Sequence, residues 1–117
     1  MDPTDKQWDG NPDMKQWVAW MNKSNPGASL QDASNVFAYA VSSLMHETLK
    51  KCGDNLTHEN LMRQAANHQK LRVPCLLPGI TVSTSPTDFY PVQALQLQRF
   101  KGETWELFGE ILAAEST

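Results

Sequence analysis

The feature that most constrains the fold is a long apolar stripe between Ser34 and Cys52. Apolar side chains recur there at three- and four-residue spacing over about five turns, which predicts one long helix with a broad face to bury. Asp32 or Ser34 can cap its start, and Gly53 can end it. The stripe consists of Phe37, Ala40, Val41, Leu44, Met45, Thr48, Leu49 and Cys52. Because 117 residues can bury only one modest core, we expect this helix to organise it.

Two shorter helices are predicted on either side of it. The first runs from Asp13 to Asn22 and is ended by the Pro and Gly of Asn25-Pro26-Gly27. The third begins with Thr57 as its N-cap and ends near His68. Prolines and a glycine interrupt residues 1–12, which predicts an extended N-terminal segment ahead of a helical region over 13–69.

The last third of the chain has the pattern of strands and turns. A short strand from Ile80 to Thr84 is predicted between two turn-forming sequences, Pro78-Gly79 and Ser85-Pro86-Thr87-Asp88. Two further strands, Val92 to Phe100 and Thr104 to Ile111, flank a glycine turn and predict a β-hairpin. A lone hairpin is marginal in water, so we expect the long helix to cover it. The predicted fold is therefore α+β, with three helices followed by a strand-rich region over 78–112 in a single domain, 1–117.

Composition and charge exclude several classes of function. The formal net charge is -3 and the ten Lys and Arg residues are scattered, which argues against a nucleic-acid interface and against a polybasic membrane patch. The sequence contains no run of 18 apolar residues that would predict a membrane span. No signal-peptide pattern is visible at its start. These observations favour a globular domain without a nucleic-acid-binding surface or a polybasic membrane patch.

Few residues suggest chemistry. Cys52 and Cys75 are compatible either with two free thiols or with a disulfide that closes a loop of about two dozen residues, and they cannot form a CxxC metal knuckle. Asp88 lies beside Thr84 and Ser85, but no general base accompanies it, so a turn-forming role is predicted. Tyr39, near the start of the long helix, is the candidate for contact with a ligand. The three histidines do not form a metal-ligand set, and neither a cofactor nor an enzymatic activity is predicted.

Several short motifs occur in an order that resembles one protein family. They include Asn11-Pro12-Asp13-Met14, Asn35-Val36-Phe37-Ala38-Tyr39, Cys52-Gly53-Asp54-Asn55-Leu56-Thr57, Leu76-Leu77-Pro78-Gly79-Ile80, Thr84-Ser85-Pro86-Thr87-Asp88 and Gln98-Arg99-Phe100. The sequence is similar in these motifs to the C-terminal part of the solute-binding proteins of branched-chain amino-acid type ABC transporters. It departs from the family in having Ala38 between the two aromatics, where Gly is usual, and His58 where Arg is often found.

The resemblance implies a fold, a function and a compartment. Members of the family have a type I periplasmic-binding fold, in which two α/β lobes close over an amino acid or similar solute and deliver it to a membrane permease. The chain would then be a C-terminal fragment that does not bind ligand alone, belonging to a periplasmic protein whose ligand contacts lie mostly outside these residues. Its helix and hairpin would lack their cover, so we expect a homo-oligomer, most simply a dimer, with or without exchanged elements. The alternative is a self-assembling structural or protein-interaction module without small-molecule binding.

Overall fold

The computed structural model describes residues 1–114 and shows an α+β arrangement of three helices followed by a two-stranded antiparallel sheet. The elements are α1 (Pro12–Ser24), α2 (Ala33–Cys52), α3 (His58–Ala65), β1 (Ala94–Lys101) and β2 (Thr104–Ala113). Their order and type confirm the three predicted helices and the predicted hairpin.

The helix boundaries follow from capping chemistry. Asn11, Asp32 and Thr57 are the N-caps of α1, α2 and α3, and each side chain accepts a hydrogen bond from a backbone N–H in the first turn. Gly53 ends α2 with a φ of 56°, a conformation that glycine adopts without steric cost. The starts of the three helices and the end of α2 are therefore encoded locally, whereas α3 ends at Ala65 and not near His68 as the sequence predicted.

The N-terminal segment is not extended throughout, which corrects the prediction for residues 1–12. Lys6–Trp8 forms a 3-10 turn, and Asp5 caps it by accepting a hydrogen bond from the Gln7 backbone N–H. An aspartate two residues ahead of a free N–H favours such a turn over an extended chain.

Two small clusters of buried side chains form the core. In the first, Met14, Trp17 and Met21 of α1 pack with Val36 of α2 and with Cys75. In the second, Ala40 of α2 packs with Val73 and Val82. Both clusters lie along one row of α2, so the long helix does organise the core as its sequence pattern indicates.

The segment around Val82 is not the regular strand that the sequence predicts. Ile80, Val82 and Thr84 are buried in alternation, as expected for an extended chain with one inner face. Its ladder is limited to a single bridge between Val82 and Leu71, because the neighbouring backbone groups bond elsewhere. The Ser83 N–H, for example, donates to the Pro91 carbonyl at 3.1 Å.

The hairpin pairs β1 with β2 in antiparallel register. Leu97 lies opposite Phe108 and Phe100 opposite Trp105, and a bulge interrupts the register between Leu95 and Leu97. The expectation that α2 covers the hairpin is wrong, since Phe100 remains 58% exposed and Leu97 44% exposed.

The N-terminal segment anchors the hairpin instead. The buried Asp5 carboxylate accepts hydrogen bonds from the Trp105 backbone N–H (2.8 Å) and from the Thr104 hydroxyl (2.7 Å). These bonds hold the pKa of Asp5 well below its usual range, the Trp105 N–H being the largest cause. The Gln7 amide adds a bond to the Trp105 carbonyl. Polar contacts from nearly one hundred residues away in sequence therefore fix the hairpin.

The two cysteines do not form the disulfide that the sequence left open. Both thiols are buried and free. Cys75 packs in the first core cluster beside Val36, near the start of α2, whereas Cys52 is the last residue of that helix. Sixteen residues of helix separate Val36 from Cys52, or about 24 Å at 1.5 Å per residue, while a disulfide requires Cα atoms within about 7 Å.

The molecule is flatter and more exposed than a compact chain of its length. It measures 47 × 38 × 19 Å with a radius of gyration of 16.0 Å, against about 13 Å expected for a compact domain of this size. Its accessible surface is 8257 Å², whereas a compact monomer of 13.1 kDa is expected to expose about 6,400 Å². The molecule therefore exposes about 1,900 Å² more surface than a compact monomer of its mass.

A groove between the first two helices as the candidate functional site

A groove of about 720 Å³ lies between α1, α2 and the segment 71–74. This volume lies within the range of small-molecule sites in proteins. The groove is open along its length, and both apolar and polar groups line it. Its principal side chains are Gln16, Trp20, Tyr39, Ser42, His46 and Arg72.

One wall of the groove is aromatic. The Trp20 and Tyr39 rings lie 5.4 Å apart between centroids at an angle of 51°, a tilted arrangement that favours contact between ring edge and face. Burial, with the neighbouring thiol of Cys75 and the carboxylate of Asp13, raises the pKa of Tyr39. The phenol is therefore protonated at neutral pH and is available as a hydrogen-bond donor.

The guanidinium of Arg72 also lines the groove. One nitrogen of Arg72 donates to both carboxylate oxygens of Asp13, at 2.7 and 2.8 Å. The same carboxylate accepts a hydrogen bond from the buried Cys75 backbone N–H at 3.2 Å. Asp13 thus ties the segment 71–75 to the first turn of α1 through one ion pair and one buried hydrogen bond.

These groups have the chemistry of a binding site. An aromatic wall, a guanidinium and neutral hydroxyl and amide groups match a small organic solute that carries a carboxylate. The rim pair His46 and Glu47 is exposed, with 3.9 Å between Nδ1 and Oε1, so it does not form a close acid–base pair. Ser43 uses its hydroxyl to bond the Tyr39 carbonyl. The described residues of the groove therefore do not assemble a nucleophile with its base.

A second polar cluster is buried away from the groove, around His68. The His68 ring lies 3.0 Å from the Thr48 hydroxyl through Nε2 and 3.2 Å from the Lys51 ammonium through Nδ1. Since Thr48 donates its hydroxyl proton to the Leu44 carbonyl, Nε2 must carry the proton that Thr48 accepts. Nδ1 then accepts from Lys51, and the ring is neutral. Burial, and secondarily the Lys51 charge, lowers the pKa of His68.

The structure places the residues predicted for a site as follows. Tyr39 does line a groove. Asp88 forms a turn in which its backbone pairs with that of Ser85 and its carboxylate accepts from the Tyr90 N–H, as predicted. Sequence reasoning missed the pair of Asp13 and Arg72, because 59 residues separate them and no local pattern links them.

Comparisons with family models, with curated proteins and with solved structures give no match. Within residues 1–114, no group of three or more His, Cys, Asp or Glu side chains could hold a metal ion. No helix of that part of the chain is both long and apolar enough to span a membrane.

Proposed function

We propose that the chain is the C-terminal portion of a periplasmic solute-binding protein for ABC-type uptake of amino acids or similar small organic solutes. In the complete protein, lobe closure over the solute and delivery to a permease constitute the mechanism, without a chemical reaction. The ordered motifs support this proposal through their resemblance to that family.

The observation that carries the proposal is the incomplete cover of α2. Val36, Ala40 and Thr48 on its inner row are buried, yet Phe37 and Val41 immediately beside them are 69% and 49% exposed. A helix that is apolar on two adjacent rows belongs in the interior of a larger assembly. The two-stranded hairpin does not provide that cover. A missing layer on α2 is expected if this chain is one part of a lobe.

The groove fits the same proposal as one wall of a larger site. Tyr39 and Trp20 can contact the apolar part of a solute, and Arg72 can pair with its carboxylate. The groove is open to solvent, however, and most of the surface of a ligand would remain in water. Since small-molecule sites bury most of their ligand, we expect the isolated chain to bind solutes weakly.

Titration calorimetry against a panel of amino acids tests the proposal. The isolated chain should show no micromolar binding, whereas a protein extended by the upstream reading frame should bind at least one of them. In the extended protein, Tyr39→Phe should weaken binding by up to about tenfold if the phenol bonds the solute. Lys23→Gln is the matched control, because Lys23 lies on α1 outside the residues that line the groove.

Two results would contradict the proposal. Micromolar affinity of the isolated chain for an amino acid would show that no second lobe is needed. An upstream reading frame that encodes an unrelated protein would remove the partner lobe altogether.

The alternative function is a self-assembling structural or protein-interaction module. The observation that favours it is the number of large apolar side chains left exposed, including Leu56, Met62 and Phe89 beyond the row on α2. It differs from the first proposal in predicting that no upstream extension confers solute binding. The calorimetry of the extended protein therefore separates the two.

A further inference from the structure

The hydrogen-bonding groups of His68 join three parts of the fold. Its backbone N–H donates to the Thr84 hydroxyl at 3.0 Å, and its carbonyl accepts from the Thr84 backbone N–H at 3.0 Å. Its ring reaches Thr48 and Lys51 of α2. Thr84 in turn donates its hydroxyl proton to the carbonyl of Ala65, the last residue of α3. We call the side chains of Thr48, Lys51, His68 and Thr84 the His68 latch.

The latch is polar, and three of its members are buried. His68 is 2% exposed, Thr48 3% and Thr84 9%. The first apolar core cluster lies at the other end of α2, where that helix packs against α1. Segments that are held by polar contacts, with few buried apolar ones, open at a lower free energy than the core. The latch can therefore open while the first core cluster stays packed.

A second proton has no place on the His68 ring while the latch is closed. Nε2 carries its proton towards Thr48, whose own hydroxyl proton goes to the Leu44 carbonyl, so Nδ1 holds the free lone pair. The Lys51 ammonium already donates to that lone pair at 3.2 Å. A proton on Nδ1 would set two positively charged donors against each other at this distance. Protonation therefore requires the ring and Lys51 to separate.

Charged groups reach the surroundings of the ring from two sides. α2 contributes Lys51, which disfavours a second positive charge. Asp88 lines a pocket of about 230 Å³ together with His68, and its carboxylate is already held by two N–H donors. α3 approaches the latch through the uncharged Ala65 carbonyl, and Lys70 on the segment of the ring is exposed. Burial first, and then Lys51, lowers the pKa of His68, so the cation in direct contact outweighs the carboxylate across the pocket.

We infer that the His68 latch is a pH-sensitive switch: it is closed while the ring is neutral, and it opens when the ring takes up a proton, which releases the segments around His68 and Thr84, with the end of α3, from the C-terminal half of α2. In the open state the ring is in water, where its pKa is about 6.5. Because the closed state binds this proton less readily, the ratio of open to closed latch rises as pH falls below about 6.5. Between pH 7 and pH 5 the increase is up to about 25-fold, the limit reached when the closed latch does not protonate at all. The switch belongs to the chain itself and does not depend on the proposed solute-binding function.

Hydrogen exchange of single backbone amides, measured by NMR at pH 7 and pH 5, tests the inference. The Thr84 amide bonds the His68 carbonyl and reports on the latch, whereas the Trp17 amide lies in α1 and reports on the first core cluster. After correction for the intrinsic exchange rates, the protection of the Thr84 amide should fall by up to about 25-fold at pH 5. The protection of the Trp17 amide should stay the same.

A matched pair of histidine variants assigns the effect to one ring. His68→Gln should remove the loss of Thr84 protection at pH 5, because a glutamine amide can donate to Thr48 and accept from Lys51 but does not titrate in this range. His58→Gln is the control and should leave the loss unchanged, since His58 is exposed at the start of α3.

Lys51→Gln separates a switch from a purely structural role. Without the ammonium, Nδ1 can take up a proton while the ring stays in place. The titration midpoint of the His68 ring, followed by its carbon and proton resonances, should therefore move upwards towards about 6.5, and the pH dependence of Thr84 exchange should shrink. A ring with a structural role alone would titrate at the same midpoint with and without Lys51.

Four results would overturn the inference. The first is a protection of the Thr84 amide that changes by less than about twofold between pH 7 and pH 5. The second is an equal loss of protection at Trp17, which would show global unfolding. The third is a loss at Thr84 that persists in His68→Gln. The fourth is a ring midpoint that Lys51→Gln leaves unchanged, a result that does not require the glutamine variant at position 68 to fold.

Discussion

Replacing Asp13 with alanine should destabilise the protein mainly by leaving a backbone N–H without a partner. The Asp13 carboxylate is the acceptor for the buried Cys75 N–H, and a buried donor without an acceptor costs about 1–3 kcal/mol. Loss of an acidic residue from the first turn of α1 adds about 0.3–1 kcal/mol. The bond to Arg72 adds less than about 1 kcal/mol, because the Arg72 side chain is 72% exposed. The expected loss is about 2–4 kcal/mol in total.

Two further variants separate the buried hydrogen bond from the ion pair. Asp13→Asn retains an oxygen that can accept from the Cys75 N–H but loses the charge, so it should cost only about 1 kcal/mol. Arg72→Ala leaves the buried bond intact and should cost less than about 1 kcal/mol. Urea unfolding followed by circular dichroism measures all three free energies, with Lys15→Ala as a control for a neighbouring charge on α1.

The order of the three losses of unfolding free energy shows whether the buried hydrogen bond or the ion pair contributes more. If Arg72→Ala destabilises the protein as much as Asp13→Ala, the ion pair dominates despite its exposure and the reasoning is refuted. The same conclusion follows if Asp13→Asn is as costly as the alanine variant.

Three other predictions follow from the structure. Gly79→Ala should lower stability by about 1–2 kcal/mol, since Gly79 has a φ of +85° and a Cβ would lie 2.7 Å from the Ile111 Cδ1 atom. Adding Ile111→Val should relieve the close contact but not the cost of the positive φ, and urea unfolding measures both variants. The pKa of His68 is lowered in the folded protein, so the unfolded chain takes up the proton more readily as pH falls below about 6.5. The melting temperature should therefore decrease from pH 7 to pH 5, and His68→Gln should flatten this dependence. The pKa of Cys75 is raised to about 11, mainly by burial and secondarily by the charge of Asp13. Its thiol should therefore react with a disulfide reagent at pH 8 only after unfolding, and reaction of the native protein at the rate of a free thiol would contradict this.

The helices and the hairpin turn could be predicted from the sequence because their signals are local. Asp32 and Thr57 cap helices within three residues of themselves, and Gly102, with a φ of +71°, forms the turn of the hairpin. The strand predicted at Ile80 to Thr84 was wrong for the opposite reason. Its alternation of buried side chains is local, but a ladder needs a partner strand, and only Leu71 is placed to pair with it.

The candidate site also combines a residue that local sequence identifies with residues that only distant contacts bring in. Tyr39 could be selected because of its position near the start of a strongly patterned helix, whereas its neighbour Trp20 and the guanidinium of Arg72 reach the groove from other elements. A sequence window contains no signal for a contact between residues 59 positions apart.

The sequence by itself determined where the three helices begin and that a glycine turn joins the two strands of the hairpin, and that α2 carries more apolar surface than one face can bury. These properties depend on residues a few positions apart, whose spacing is fixed by backbone geometry. Only the tertiary structure decided which row of α2 is buried and which is exposed, that Asp5 anchors the hairpin, and that about 24 Å of helix separates the surroundings of Cys75 from Cys52. Those outcomes depend on which segments, distant in the sequence, pack together in the folded chain. Local propensity carries no information about that packing.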